Sequence, residues 1–286
     1  MKQAYITKSR LTDFITSAIK EDVGDGDHST LAVIPATAMG KAKLLIKEPG
    51  ILAGVELAKE IFQHYDPDLK VSIQIPDGSP VEPGDVGLFV EGKVSAILTT
   101  ERLVLNCMQR MSGIATYTHQ LTQKISHTKA KLLDTRKTTP NFRMMEKWAV
   151  SIGGGKNHRF ALYDMIMLKD NHIDFAGGIR QAVSAAQEYL KRKGLPLKIE
   201  VETRTLDEVA EVLEVGGIDF IMLDNMSYVQ MKEAVALIGG RYPTEASGGI
   251  TEDTLVAVAE CGVDYISVGA LTHQVKSMDI SLKAVV

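Results

Sequence analysis

Arg136, Lys137, His158, Arg159 and Lys169 fall in one stretch, DTRKTTPNFRMMEKWAVSIGGGKNHRFALYDMIMLKDNH, from Asp134 to His172. Between Arg136 and Lys169 stand seven basic residues against two acids, Glu146 and Asp164, in a chain with 32 Lys+Arg and 36 Asp+Glu. Dense positive charge inside a slightly acidic chain marks a site for a small polyanion rather than a nucleic-acid surface. Arginine's planar fork grips a carboxylate or phosphate through two parallel hydrogen bonds, so Arg136 and Arg159, with Lys137, suit a dianion. A single arginine would be read as a surface ion pair; a cluster with so few local acids would not. His158, between Asn157 and Arg159, is expected to face the same ligand. Arg143 and Lys147, one helical turn apart around Glu146, fit a solvated face and are set aside with Lys156.

Two further kinds of residue complete the set. Glu202 and Asp224 end neighbouring predicted strands. They suit magnesium, held directly or through water and carrying a diphosphate, or ribose hydroxyls, or a general-base pair. Strand alternation puts Glu200 on the same face as Glu202, one layer deeper. Ser247-Gly248-Gly249 and Gly269-Ala270 are turns in which backbone amides can approach a phosphate. Gly153 to Lys156 is not a Walker loop, because Asn157 stands where Ser or Thr should bind magnesium. It reads instead as a flexible loop presenting His158 and Arg159. No His/Cys spacing matches a zinc site, and EDVGDGDHST, read as a loop, is an incomplete calcium loop.

The elements that must position these groups follow from periodicity. Leu11, Phe14, Ile15, Ala18 and Ile19 predict a first helix. Strands over 41–46, 69–75 and 86–90 surround a helix over 55–65, an α+β unit, and a long helix over 99–125 follows. The second half alternates short apolar strands (132–134, 165–168, 198–202, 220–223, 244–247, 265–268) with helices (178–192, 206–214, 227–238). That rhythm implies a parallel sheet covered by helices, and six strands without a GxGxxG favour a barrel. Each strand ends in polar, ionisable or glycine residues: Asp134-Thr135-Arg136-Lys137, Lys169-Asp170-Asn171-His172, Glu202-Thr203-Arg204, Asp224-Asn225, Ser247-Gly248-Gly249 and Gly269-Ala270. In parallel barrels the active site sits at those carboxyl ends, with phosphate after the last strands.

The chain resembles the quinolinate phosphoribosyltransferase family, also called nicotinate-nucleotide pyrophosphorylases (carboxylating). EDVGDGDHST, TTERLVLNCMQRMSGIAT, DTRKTTPNFRMMEKWAV, GGGKNHRF, MLKDNHI, EVET, IMLDN, EASGGI and SVGALTH occur in the family's order over nearly the whole chain. The resemblance implies an N-terminal α/β sandwich over 1–112, joined by the C-terminal tail 273–286. It also implies an incomplete parallel α/β barrel of six or seven strands over 113–272. It implies transfer of phosphoribosyl from 5-phosphoribosyl-1-diphosphate to quinolinate with decarboxylation, supplying NAD biosynthesis. Arg136 and Arg159 would grip the quinolinate carboxylates, with His158 and Lys137 nearby, and Thr135 stands with them among the substrate-binding residues. Lys137 and Lys169 would face the phosphoribosyl donor, and Glu202 and Asp224 its ribose and magnesium. Ser247, Gly248, Gly249, Val268, Gly269 and Ala270 would bind its 5-phosphate. Lys137, Lys169, Glu202 and Asp224 would form the catalytic set. Arg102 matches an arginine the family inserts from a neighbouring subunit, so a homodimer is the expected unit. One departure is a spacing between Glu202 and Asp224 about a residue longer than the family's, at Gly216-Gly217.

Retention of both Arg136 and Arg159 favours a dicarboxylate over the substrates of the related ModD proteins. Glu202, Asp224 and Lys169 together favour an enzyme over a phosphate-sensing barrel. A net charge of -4 offers no reason to expect nucleic acid or an anionic membrane. The apolar runs are too short to span a bilayer, and the first twenty residues lack a signal peptide's apolar core. Cys107 and Cys261 read as reduced thiols of a cytoplasmic protein.

Overall fold

The computed structural model describes residues 3–285. Thr7 caps α1 (Lys8–Val23) by accepting from the Arg10 amide, and Gly24 ends it in a left-handed turn. The expected loop is therefore short. Asp27 starts a second helix, α2 (His28–Val33), by accepting from the Thr30 amide at 3.1 Å and its hydroxyl at 2.5 Å. Asp27 thus serves as a helix cap, which satisfies amides that would otherwise lack a partner.

The chain continues through β1 (Met39–Ile46), β2 (Gly50–Ile51), α3 (Val55–Tyr65), β3 (Lys70–Ile73), β4 (Pro80–Val81), β5 (Val86–Lys93) and α4 (Val94–Lys124). It then passes β6 (Lys131–Leu133), α5 (Arg143–Ile152), β7 (Ile166–Leu168), α6 (Asp170–Ala176), α7 (Ile179–Lys193), β8 (Ile199–Thr203) and α8 (Leu206–Val215). It finishes with β9 (Phe220–Asp224), α9 (Tyr228–Ile238), β10 (Thr244–Ser247), α10 (Leu255–Ala259), β11 (Tyr265–Ser267), α11 (Ala270–His273) and β12 (Ile280–Ala284).

Two compact units result. One comprises residues 3–119, 138–154 and 271–285; the other comprises 120–137 and 155–270. Residues 113–119, 138–154 and 271–272, expected with the barrel, cluster with the first unit. The first unit holds an antiparallel sheet in the order β12-β1-β5-β3. Leu44 of β1 pairs with both Leu88 and Leu282, so the C-terminal strand completes this core. In α4, a Cβ at Gly113 would collide with the Lys276 carbonyl, which is why the residue there has no side chain.

A buried charge network explains where 138–154 belong. Glu146 on α5 is 0% exposed. It accepts from Arg110 Nη2 at 2.9 Å and from the Thr139 amide at 3.0 Å and hydroxyl at 2.9 Å. Arg110 also donates to the Val275 carbonyl at 2.9 Å and to that of Thr272. Lys147 is likewise 0% exposed. The solvated face expected here is thus a buried one. Arg110 stands far away in sequence, and a charge needs such a partner to lie inside. Gly153 is close-packed rather than a loose hinge, since a Cβ there would meet the Ala115 carbonyl.

The second unit holds six parallel strands in the order β6-β11-β10-β9-β8-β7. Its edges, β6 and β7, are consecutive in the sheet's sequence order, which is a barrel order broken at one seam. At the β6 edge, Leu133 makes a parallel bridge with Lys156. Register gives each face its character. Ile199, Val201, Ile221, Leu223 and Ala246 lie on one side and are buried. Glu200 pairs with Phe220, Glu202 with Met222, Met222 with Glu245, and Asp224 with Ser247. Those four acids therefore share the opposite face.

Candidate active site

That acidic face is concave. Glu200 on β8 and Glu245 on β10 are separated by β9, yet both reach His158. His158 Nε2 lies 2.9 Å from Glu200 Oε2 and 3.5 Å from Glu245 Oε2. Strands two apart in a flat sheet lie about 9–10 Å apart, so only inward curvature brings the two carboxylates to one ring.

Asp134, just past β6, is 0% exposed and does not face a ligand. It accepts from the His158 amide at 2.9 Å and from Asn157 Nδ2 at 2.5 Å, clamping the loop that carries His158 and Arg159. The Arg159 amide donates to His158 Nδ1 at 2.7 Å, and Arg159 Nη1 to the Met165 carbonyl at 3.2 Å. Burial holds the Arg159 guanidinium below its usual range, and the like charge of Arg136 lowers it further. Glu200 and Asp164 act the other way. Arg136 and Arg159 are thus close enough to repel, over a floor of buried carboxylates. Thr135, accepting from the Lys137 amide at 3.0 Å, and Lys137 itself complete this turn.

At the ends of β8 and β9 stand Glu202 and Asp224. Glu202 is 8% exposed and accepts from the Asp170 amide at 3.4 Å. Burial raises its carboxyl above the ordinary range, and the neighbouring Asp224 raises it further. The Asp170 amide and Lys169 oppose this. Two repelling carboxylates, all oxygen donors, fit a hard divalent cation. Between the two strands lies a turn built on two glycines. Gly216 and Gly217 both take a left-handed φ of 67°, and Gln187 donates to their carbonyls at 3.0 and 3.1 Å.

After β10, Gly248 at φ 96° leaves no room for a side chain, because a Cβ would lie 2.8 Å from the Asn225 amide nitrogen. The loops after β9 and β10 are further joined by the Asn225 amide donating to the Ser247 carbonyl at 2.9 Å. Gly249 faces open space. Val268 donates to the Leu133 carbonyl at 3.0 Å, which sets Gly269 and Ala270 past the end of β11 beside β6.

Thr135, Arg136, Lys137, His158, Arg159, Lys169, Glu202, Asp224, Ser247 to Gly249 and Val268 to Ala270 all belong to the second unit. All follow or end its strands, except that the bridge at Lys156 presents His158 and Arg159. Arg102 is exposed on α4 in the first unit. Asp134 and Glu245 were missed as site residues. For Glu245 a signal existed: it stands two residues before Ser247 in a short apolar strand, hence on the same face.

A family model described as quinolinate phosphoribosyl transferase, C-terminal domain, matches residues 114–283, and its N-terminal counterpart matches 27–112. The chain belongs to this family. It is 49% identical over 284 residues to a chloroplastic "nicotinate-nucleotide pyrophosphorylase [carboxylating]" of Arabidopsis thaliana, covering 94% of this chain and 81% of that one. It is 42% identical over 262 residues to a "probable" enzyme of the same name from Bacillus subtilis, covering 92% and 89%. The crystal structure of NadC from Streptococcus pyogenes superposes with a TM-score of 0.91 at 39% identity, covering 99% of this chain and 100% of that one. As in these relatives of the quinolinate phosphoribosyl transferase family, the fold is α/β, with the parallel sheet separate from the antiparallel one.

Proposed function

We infer that this chain transfers phosphoribosyl from 5-phosphoribosyl-1-diphosphate to quinolinate with loss of carbon dioxide, giving nicotinate mononucleotide and diphosphate in NAD biosynthesis. Family membership carries the reaction. The observation that fits it to these residues is the mutual repulsion of Arg136 and Arg159. Two guanidiniums held close together favour a dianion, and quinolinate is one. Binding both anionic substrates needs positive charge already in place, which Lys137 and Lys169 extend toward the donor. Departure of diphosphate leaves a cationic ribose, which the carboxylates at Glu202 and Asp224 suit. The ring nitrogen's attack makes a pyridinium, whose positive charge stabilises the electron pair left on the adjacent ring carbon as carbon dioxide departs; a proton from solvent then completes the C–H bond, so no organic cofactor is needed.

Magnesium belongs to this reading: Glu202 and Asp224 would hold it, directly or through water. It supplies charge neutralisation for the diphosphate. The turns 247–249 and 268–270 offer amides for the 5-phosphate. A homodimer completes the site with Arg102 from the second subunit. Two buried, separate thiols, Cys107 and Cys261, suit the reducing cytoplasm. No helix among the described residues is long and apolar enough to cross a membrane.

The test is mass spectrometry of protein, quinolinate, 5-phosphoribosyl-1-diphosphate and magnesium. Nicotinate mononucleotide and diphosphate are expected, and a chelator should remove both. Folded protein at high concentration that forms no product would refute the reading.

A further inference from the structure

Glu200 and Glu245, which flank the candidate substrate residue His158, have no part in the reaction as described so far. The ligand atoms of the three residues all lie within 4.8 Å of one another. The Glu200 and Glu245 side chains are 1% and 3% exposed, and that of His158 is 8%. Two buried carboxylates, Glu200 and Glu245, face one imidazole, and a third, Asp134, accepts from the backbone amide of the same residue. Such an arrangement is costly unless it fixes something.

A cation in this cluster is the obvious rival, and the imidazole's own hydrogen bonding argues against it. The Arg159 amide is necessarily a donor, so His158 Nδ1, 2.7 Å away, accepts. An accepting Nδ1 leaves the ring proton on Nε2, the nitrogen that faces both carboxylates. A metal-bound imidazole shows the reverse: the coordinating nitrogen is bare and the other donates. The ring is therefore held between two contacts. Carboxylates lie at one nitrogen, and the backbone of Arg159 lies at the other.

We propose that Glu245, together with Glu200, is a positioning device for the acceptor half of the site, holding the His158 ring and, through it, Arg159 in place for the dicarboxylate. The inference rests on the functional reading above. Its support is geometric: β8 and β10 each send one buried carboxylate to the same nitrogen, and the Asp134 clamp fixes the same loop from β6. Burial and the Glu200 carboxylate beside it hold Glu245 well above the usual carboxylate range, so the pair carries less charge than two free acids would. That lessens the cost of placing them under His158. It also leaves the positive field of Arg136 and Arg159 for the substrate.

Steady-state kinetics of Glu245→Gln, with each substrate varied separately, tests this. The substitution keeps the shape, removes the carboxylate charge that faces Nε2, and puts an amide N–H within reach of that ring nitrogen in place of one oxygen. The KM for quinolinate should rise about tenfold or more, while the KM for 5-phosphoribosyl-1-diphosphate stays within about twofold of the unmodified chain. Thermal unfolding of the variant should not occur earlier. Glu200→Gln should repeat the pattern, and Glu245→Asp should recover part of the quinolinate affinity. An active unmodified chain beside a Glu245→Gln variant with unchanged KM, or with both KM values raised alike, overturns the inference alone. An unmodified chain without turnover overturns the functional reading with it. One equivalent of zinc bound by the unmodified chain and lost in Glu245→Gln also overturns it, in favour of a metal site.

Discussion

Arg136 and Arg159 lie close enough for their like charges to repel, and on the proposed function a doubly negative ligand would offset that repulsion. The value of each lies in its fork as well as its charge. Arg136→Lys keeps the charge but loses the parallel pair of hydrogen bonds. The quinolinate KM should rise about tenfold to a hundredfold, and the KM of the phosphoribosyl donor should barely move, as read by initial rates with each substrate varied. Equal losses for both substrates would mean that Arg136 supports the whole site rather than the acceptor. The clustering of these basic residues was legible in the sequence because local charge density is a one-dimensional property. The floor beneath it was not. Glu245 looks like a lone acid until β9 and its neighbours curl, and Asp134 reads as a strand-end ligand until Asn157 and His158 turn back onto it.

Elements were legible where periodicity ran unopposed. The helix expected over 55–65 and the strand over 244–247 have those limits in the structure. α5 was not recognised, because its charges drew attention away from its burial. Glu146 can lie inside because Arg110 and Thr139 meet it, and contacts that distant leave no trace in spacing. α3 carries a different polar device. Asp77 accepts from the Val55 amide at 2.9 Å at the start of that helix, and burial pushes its carboxyl up to about 6. An ordinary aspartate titrates near 4, so between about pH 4 and 6 the folded chain binds more protons than the unfolded one. Stability from this group is thus present at low pH and is lost as pH rises through about 6. Asp77→Asn retains the acceptor oxygen and removes the titration. Relative to the unmodified chain, the variant should gain about 2 kcal/mol in stability between pH 4 and pH 7, measured by denaturant unfolding at both. A constant difference across that range would show that Asp77 is solvated.

At the scale of the molecule, the chain places Arg102 in one compact unit and the remaining candidate residues in the other. Within the first unit, the C-terminal strand β12 closes the antiparallel sheet. A second subunit supplying Arg102 makes a specific demand on mixtures of inactive chains. Arg102→Ala and Lys137→Ala homodimers each lack one required group in every site. In a hybrid dimer, one site combines the intact Lys137 of the first variant with the intact Arg102 of the second, and the other site carries both defects. Random re-equilibration makes half the dimers hybrid and half of each hybrid's sites intact, so about a quarter of the unmodified activity should return. The measurement is turnover after mixing at equal concentrations under conditions that exchange subunits, with exchange verified by mass-labelled chains. Verified hybrids that remain inactive would place Arg102 either in its own subunit's site or outside the chemistry altogether, because only a group acting across the interface can be restored by a partner that carries its own lesion elsewhere.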